Sequence, residues 1–570
     1  MKKTVKRLLA LALTAMMLLS LAACGNFFEQ TEKADSAKTQ LYVYTFDCAY
    51  GDEWLYALKA RFEAKYADYE GENGKKGVQV IIEKGKNNGR NWEDYLAGNR
   101  NEIIFSEWDN YYTLISLGLL EDITDVVTTP LTEFGEEVSI FDKIAEDRQD
   151  FYKTLDGKVY GIPYRWSVSG INYDRDVFIE YSLFFAKGGC PSEFSAYTQA
   201  NNADAVSGSF TDYAYTDGSD EMSAGPDGKY GTYDDGMPAT FDEFFHICEE
   251  MTGYGITPFC WSGQYRQNYL GRHMSALTAI FNGYENTMNA LAYKGTFDNL
   301  VQSIDANGKV TLMPPTVINA SNAKLLGRNV GKYYSAVFFE KIITGKYYTA
   351  DSYALASTHM DAQRTFLNSK YTSNRIAFLM DGVWWENEAA SAFSDLEKRH
   401  DNASKYDRNI GLLPIPHPTE ADIGKESVHY ESFDCLCYIN ANIAEEKKDL
   451  AFKFYRMAFT EESNREWNVI TGTPRALDYT MTEADMAQLS PFGKELYKAA
   501  TEQTTIYPRA NVRWYRENPD FLNNDSLDYS SVDASTVWDL AKYYPDDVNI
   551  AKLFIDGWDL FLVPDASKLD

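Results

Sequence analysis

The chain has 570 residues and a formal net charge of −30, with 45% hydrophobic and 24% charged residues. This length and composition are typical of a large globular protein with more than one lobe, and the acidic surface disfavours nucleic acid as a partner because it would repel phosphates. The sequence contains no phosphate-binding loop, zinc-protease motif or serine-hydrolase elbow, so we expect no enzyme activity.

The first 23 residues have the pattern of a secretory signal peptide. Four basic residues within the first seven positions precede a mostly apolar run, Leu8–Leu21. This run is too short for an ordinary membrane span, and no other apolar run reaches that length. The tetrapeptide Leu21-Ala22-Ala23-Cys24 resembles the lipobox of bacterial lipoproteins, in which the cysteine is acylated and becomes the first mature residue.

A lipidated Cys24 would hold the protein at the extracytoplasmic face of a bacterial cell membrane, with no other contact to the membrane. An ordinary export signal cut near Ala23 is the alternative reading. The next residues, 24–40, are polar and of mixed charge, which is typical of a flexible tether.

Three strand patterns, at 41–46, 78–82 and 102–105, alternate with helical periodicity after the tether. This alternation predicts an α/β fold with a parallel sheet and right-handed crossovers. Because ligands of such sheets bind beyond the carboxyl ends of the strands, we expect the loops 47–54 and 106–109 to line a binding site.

Further elements follow a long segment, 191–238, which is rich in Ser, Asp, Gly and Asn and is predicted to be an insertion or surface loop. A helical pattern over 240–251 begins at a threonine, a residue suited to cap a helix. Strands are predicted at 375–380 and 409–413, and a helix at 444–459.

The insertion contains Asp and Gly at short spacing, a composition that can bind calcium. Its spacing departs from the EF-hand pattern, because Gly228 at the sixth position places Asp234 rather than Glu at the twelfth. Asp227, Asp234 and Asp235 are therefore weak candidate calcium ligands, and a solvated turn-rich loop is the reading that we favour. We predict no other cofactor or metal.

Several short motifs occur in a fixed order along the chain. They are Leu41–Tyr66, Glu102–Leu120, Tyr160–Pro163, Gly170–Asp174, Ile376–Trp384, Gly411–Pro416 and Thr471–Pro474. In this order they resemble the extracellular solute-binding proteins of ABC importers, in the sugar-binding group related to maltodextrin-binding proteins.

This resemblance implies a two-lobed, hinged, periplasmic-binding-protein-like fold with discontinuous lobes. Chain crossings would fall near residues 163, 375 and 435. The implied N-terminal lobe comprises 41–163 and 376–435, and the implied C-terminal lobe comprises 164–375 and 436–570. The resemblance further implies a carbohydrate ligand such as an oligosaccharide, ABC permease subunits as partners, and a monomeric chain.

Aromatic residues make up 15% of the sequence, and Tyr and Trp suit sugars because each combines an apolar face with a polar edge. Trp384 and Trp385 follow the return strand, and we expect one in the cleft, with Trp384 favoured, and the other in the core. Trp54 also fits the core face of its helix. The candidate ligand-binding residues at the predicted cleft edges are Tyr50, Trp54, Trp108, Asp109, Arg165, Trp166, Trp261, Tyr265, Asp381, Trp384, Trp385 and Glu386.

The sequence leaves two other functions open. A surface-anchored glycoside hydrolase or lyase would use paired carboxylates, and acidic pairs are frequent in this chain. A receptor for a peptide or another non-sugar solute would present charged rather than aromatic groups at the cleft.

Overall fold

The structure is a computed structural model that describes residues 32–71, 74–85, 92–98, 101–107, 111–181, 183–185, 222–432, 435–508, 534–561 and 563. The predicted signal peptide, Cys24, Trp108, Asp109 and most of the 191–238 insertion therefore lie outside the described residues. Within those ranges, no helix combines the length and the hydropathy needed to cross a membrane.

Strands and helices alternate along much of the chain. The strands are β1 (Thr39–Phe46), β2 (Val78–Gly85), β3 (Ile103–Phe105), β4 (Gly161–Pro163), β5 (Ser169–Asp174), β6 (Thr257–Cys260), β7 (Gly295–Phe297), β8 (Val301–Ile304), β9 (Val310–Leu312), β10 (Thr316–Ile318), β11 (Ile376–Gly382), β12 (Ile410–Leu412), β13 (Val428–Tyr430), β14 (Leu436–Ile439) and β15 (Thr504–Ile506). The helices are α1 (Glu53–Lys65), α2 (Trp92–Gly98), α3 (Tyr111–Ser116), α4 (Thr124–Thr128), α5 (Glu146–Tyr152), α6 (Arg175–Tyr181), α7 (Phe241–Gly253), α8 (Arg266–Leu291), α9 (Val330–Thr344), α10 (His359–Ser369), α11 (Trp385–Glu388), α12 (Ala390–Glu397), α13 (Glu445–Ala458), α14 (Glu461–Thr471), α15 (Glu483–Met486), α16 (Pro491–Glu502), α17 (Ala534–Tyr543) and α18 (Ile550–Asp556).

The first lobe is built on a five-stranded sheet with the strand order β2-β1-β3-β14-β4. As predicted, β1 runs parallel to β2 and β3, whereas β14 is antiparallel to β3 and β4. Helix α1 buries one face, which includes Trp54 and Phe62. Phe62 packs against Phe454 of α13 with ring centroids 5.0 Å apart, so the helix that follows β14 belongs to this lobe.

The second lobe is built on a four-stranded sheet with the strand order β12-β5-β11-β6. Phe244 of α7 lies 5.5 Å from Phe378 of β11 and 5.5 Å from Phe338 of α9, so α7 packs on this sheet and α9 packs on α7. The predicted cap of α7 is present, because the Thr240 side chain accepts from the third backbone N–H of the helix. Trp538 of α17 packs on Phe339 and adds the tail to this lobe.

Two strands lie in the opposite lobe from the one predicted. Strand β11, expected in the first lobe with 376–435, pairs with β5 and β6 of the second sheet. Strand β14, expected in the second lobe with 436–570, pairs with β3 and β4 of the first sheet. The predicted boundaries are therefore wrong for both strands, whereas the crossing between β4 and β5 falls near 163 as expected. Every residue of β11 is buried, and a fully buried strand carries no face pattern that shows which sheet it joins.

A cleft between the lobes as the candidate binding site

A cleft of about 910 Å³ lies between the two lobes. The first lobe contributes Phe46, Asp47, Cys48, Ala49, Tyr50, Gly51, Glu53, Glu107 and Ile470, and the second contributes Tyr265, Asn268, Tyr269, Arg272, His359, Met360, Trp384, Asn387, Glu388 and Ala390. The first-lobe residues lie mainly at the carboxyl ends of β1 and β3, where a parallel sheet is expected to bind its ligand.

Tyr50 forms part of the cleft floor and is held from several sides. Its hydroxyl donates to the Trp166 carbonyl oxygen at 3.3 Å and lies 3.1 Å from the Ser167 hydroxyl. The guanidinium of Arg165 lies 4.6 Å from the Tyr50 ring centroid, a distance at which a cation is attracted to the ring face. Burial raises the pKa of Tyr50 above its ordinary value, so the phenol stays neutral.

Arg165 lies beneath the floor and is itself buried. It forms an ion pair with the cleft residue Glu107, and its Nη1 lies 2.8 Å from the sulfur of Cys48. This pairing compensates the charge of Glu107, which would be costly to bury alone. Arg165 therefore supports the cleft from below rather than lining it.

The adjacent tryptophans divide as the sequence favoured. Trp384 lines the cleft, and its ring centroid lies 6.4 Å from that of Tyr50. Trp385 is buried against Phe366, at 5.8 Å, and Phe492, at 5.7 Å, in the core. At the rim, Tyr265 is 42% exposed. Tyr50, Trp384 and Tyr265 are therefore the predicted aromatic residues that reach the cleft.

A polar network lies beside Trp384. Nε2 of His359 lies 3.1 Å from Oε1 of Glu388, and the Gln363 amide donates to Glu388 at 2.6 Å and to Asp381 at 3.0 Å. Burial, reinforced by the nearby charge of Glu388, raises the pKa of Asp381 to about 7. Asp381 was predicted to bind the ligand directly, but it lies behind the cleft wall and is 1% exposed.

Four other candidate residues lie in the protein interior rather than on the cleft wall. Trp54 packs 4.9 Å from Phe105 in the first core, the alternative that its helix face already indicated. Trp166 donates to Thr505 at 3.0 Å. Trp261 packs 5.3 Å from Tyr348. The fourth residue is Glu386, which accepts from the Ser490 hydroxyl at 2.7 Å.

Several residues that line the cleft were not selected from the sequence, although helical spacing from a selected aromatic residue could have indicated some of them. Glu388 lies four residues after Trp384, and Tyr269 and Arg272 lie four and seven residues after Tyr265. Residues with these spacings share one face of a helix, so Trp384 and Tyr265 each indicate a polar residue on the same helix face. His359 has no such signal, because only tertiary packing brings it to Glu388.

The predicted calcium candidates close a tight turn in the second lobe. Asp234 accepts from the Asp227 backbone N–H at 2.8 Å and from the Thr232 hydroxyl at 2.8 Å, and Asp235 accepts from the Gly231 N–H at 2.7 Å. Burial, with the charge of Asp227, raises the pKa of Asp234 to about 7. Across the part of the chain that the structure describes, no three acidic, His or Cys side chains converge as metal ligands would. Calcium binding here stays a prediction.

The protein has two α/β lobes and a cleft between them at the carboxyl ends of strands, which is the architecture of two-lobed binding proteins. The chain belongs to the family described as bacterial extracellular solute-binding protein, whose model matches residues 60–485. This finding confirms the resemblance, and with it the predicted fold class and the extracytoplasmic location.

One similar solved structure is described as a chitin oligosaccharide binding protein. It has a TM-score of 0.51 and 14% sequence identity, and the match covers 92% of this chain and 100% of that one. At this identity the likeness concerns the fold. No curated protein matches the chain.

Proposed function

We propose that this protein is a lipid-anchored receptor that captures a carbohydrate, such as an oligosaccharide, and delivers it unchanged to the permease of an ABC importer. Its family consists of extracellular solute-binding proteins, and Cys24 at the end of the leader supplies the anchor. Delivery to a permease follows from the family resemblance, and capture of a sugar follows from the chemistry of the cleft.

The combination of aromatic faces and polar groups in one cleft carries this proposal. Tyr50, Trp384 and Tyr265 offer ring surfaces, and the apolar C–H faces of sugar rings stack on such surfaces. Glu388 and His359 offer hydrogen-bonding groups on the same wall, and each hydrogen bond to a charged group contributes about 1.5–3 kcal/mol. The cleft volume of about 910 Å³ is suited to a ligand of several rings.

Contacts between the lobes support closure around the ligand. The Asn387 amide donates to the Ala49 carbonyl oxygen at 2.9 Å beside the cleft, and the Tyr284 hydroxyl donates to Asp147 at 3.0 Å. The lobes therefore touch at two separate places. A ligand that contacts both lobes would stabilise this closed form, as hinge closure requires.

The first test is calorimetry of the mature chain and its Trp384→Ala variant with a panel of oligosaccharides that includes chitin fragments. We expect one class of sugar to bind with roughly micromolar affinity, about −8 kcal/mol. We expect Trp384→Ala to weaken that binding about tenfold or more, because the stacking surface is lost. Tyr406→Ala, at an exposed tyrosine outside the cleft, should bind like the unaltered chain.

Two outcomes would contradict the proposal. If no sugar in the panel releases or absorbs heat, and a peptide or other solute does, the ligand class is wrong. If chromatography recovers the sugar shortened after incubation, the protein is a hydrolase or lyase rather than a receptor.

The lipid anchor is tested by Cys24→Ala in the producing bacterium. We expect the variant to leave the membrane fraction, because acylation requires that thiol and each buried methylene of an acyl chain contributes about 0.8 kcal/mol. Immunoblots of the membrane and soluble fractions measure the change, with Cys48→Ala as the control. An unaltered membrane share for Cys24→Ala would favour the ordinary export signal.

A further inference from the structure

Behind the cleft wall, four polar side chains form one connected row. His359 and Gln363 lie one turn apart on α10, Asp381 lies near the end of β11, and Glu388 ends α11. Gln363 is fully buried, and its single amide group donates to Glu388 at 2.6 Å and to Asp381 at 3.0 Å. One amide therefore joins two carboxylates.

Only one end of this row reaches the cleft. The side chains of Glu388 and His359 are 16% and 27% exposed, and both line the cleft, whereas Gln363 and Asp381 are buried. A carboxylate has about four acceptor positions, so the contacts with His359 and Gln363 leave Glu388 able to accept from a ligand. An imidazole nitrogen donates or accepts according to the tautomer. The pair thus places carboxylate oxygens beside an imidazole, which matches the donor and acceptor capacity of neighbouring sugar hydroxyls.

We propose that Glu388 and His359 are the specificity-determining pair that hydrogen-bonds the hydroxyls of the captured carbohydrate, and that Gln363 and Asp381 are positioning residues that fix this pair. The inference rests on the proposed function and names the residues that select the ligand. The positioning role of Gln363 and Asp381 follows from electrostatics. The buried carboxylate of Asp381 and the partly buried carboxylate of Glu388 repel each other and lose hydration, and the bridging amide offsets both costs in one geometry.

Asp381 also connects the polar pair with the aromatic wall. Its Oδ1 accepts from the Gly382 backbone N–H at 2.7 Å, and Trp384 follows two residues later. The same carboxylate therefore orients the turn that carries the stacking ring and, through Gln363, the acceptor beside it. The Asp381 carboxylate would thus fix the relative positions of the stacking ring and the hydrogen-bond acceptor.

This arrangement makes the affinity depend on pH. Burial and the charge of Glu388 raise the pKa of Asp381 to about 7. A proton on Oδ2 of Asp381 turns the oxygen that accepts from Gln363 into a donor, so the Gln363–Asp381 hydrogen bond is weakened and Gln363 is held less firmly in the position from which it donates to Glu388. Affinity should therefore fall as the pH drops below about 7. The titratable groups that face Asp381 are Glu388, His359, Cys260, Tyr269 and His273.

The experiment measures sugar affinity by calorimetry for variants of matched size. Glu388→Gln should bind about tenfold or more weakly, because a charged acceptor is lost, and His359→Gln should also weaken binding. Glu386→Gln makes the same change two residues away on α11, where the side chain faces Ser490, and should bind normally. Unaltered affinity of both Glu388→Gln and His359→Gln, with a normal melting temperature, would overturn the pair's role.

The positioning role is tested by a double-mutant cycle and a pH profile. Gln363→Leu should weaken binding about fivefold in the unaltered chain and have no further effect in Glu388→Gln, because it acts through Glu388. Asp381→Asn should remove the dependence of affinity on pH around 7. Equal effects of Gln363→Leu in both backgrounds, or an unchanged pH profile in Asp381→Asn, would overturn it. If the unaltered chain binds no carbohydrate, the proposed function fails instead, so the two failures are distinguishable.

Discussion

Glu386 and Glu388 are two residues apart on α11, and the helix directs them to different surroundings because each residue advances by about 100°. Glu388 reaches the cleft, whereas Glu386 is buried and accepts from Ser490. Burial raises the pKa of Glu386 to about 7, although the charge of Lys405 opposes the shift. This carboxyl therefore binds its proton more tightly in the folded chain than in the unfolded chain.

The pKa of Glu386 predicts how the variant Glu386→Gln changes stability. Its folded-state pKa is raised from 4.5 to about 7, so the stabilisation is complete below the unfolded value and is lost as the pH rises through the folded value. Glu386→Gln removes this loss, and we expect it to raise the free energy of unfolding above pH 7 by at most about 3 kcal/mol. Urea unfolding below pH 4.5 and above pH 7 measures the difference. A variant that is destabilised equally at both would contradict it.

At the scale of one element, the turn from β11 to α11 fixes the aromatic wall. A Cβ added at Gly382 would lie 2.1 Å from the Trp384 ring, so the ring occupies the space that only glycine leaves open. The strand, the turn and the first residues of α11 therefore act as one unit in shaping the cleft.

Gly382→Ala should lower ligand affinity about tenfold although every cleft side chain is retained, because the Trp384 ring must move off its position. Calorimetry measures the affinity, and circular dichroism checks that the fold is intact. Gly253→Ala is the matched control, because an added Cβ there meets no neighbouring atom. Equal affinities in both variants would show that the ring position does not matter.

Elements whose signal is local were predictable from the sequence. The face of α1, the cap of α7 and the parallel pairing of β1 each follow from residues within one segment or its neighbours. The sheet that β11 joins was not predictable, because every residue of this strand is buried and the sequence shows no alternation between an inner and an outer face. The same holds for the site. Trp384 was predictable because it directly follows the end of β11, whereas His359 was not, because only packing brings it to Glu388, 29 positions further along the chain.

At the scale of the whole molecule, the contacts between the lobes set the balance between open and closed forms. Tyr284 and Asp147 form such a contact through a hydrogen bond of 3.0 Å, at a place that does not line the cleft. Its energy therefore adds to closure without touching the ligand. An apparent affinity is reduced by the fraction of molecules that are not in the binding-competent form.

Tyr284→Phe should weaken binding of every ligand by the same factor, about two- to tenfold, because a net hydrogen bond contributes about 0.5–1.5 kcal/mol. Small-angle scattering without ligand should show a larger radius of gyration. Tyr406→Phe, at an exposed tyrosine, serves as the control. A loss of affinity for one sugar but not another would mean that Tyr284 contacts the ligand.

Cys48 is a partly exposed thiol on the cleft, whereas Cys248, Cys260, Cys435 and Cys437 are free and buried. A maleimide dye should consequently attach to Cys48 on the wall of the cleft, without the introduction of a new cysteine. The labelling would use a Cys190→Ser chain that lacks the leader and Cys24. The emission of the dye would change when a guest displaces water from it. The labelled protein would then act as a fluorescent sensor of its ligand, and an unknown mixture could be screened for that ligand by the change in emission.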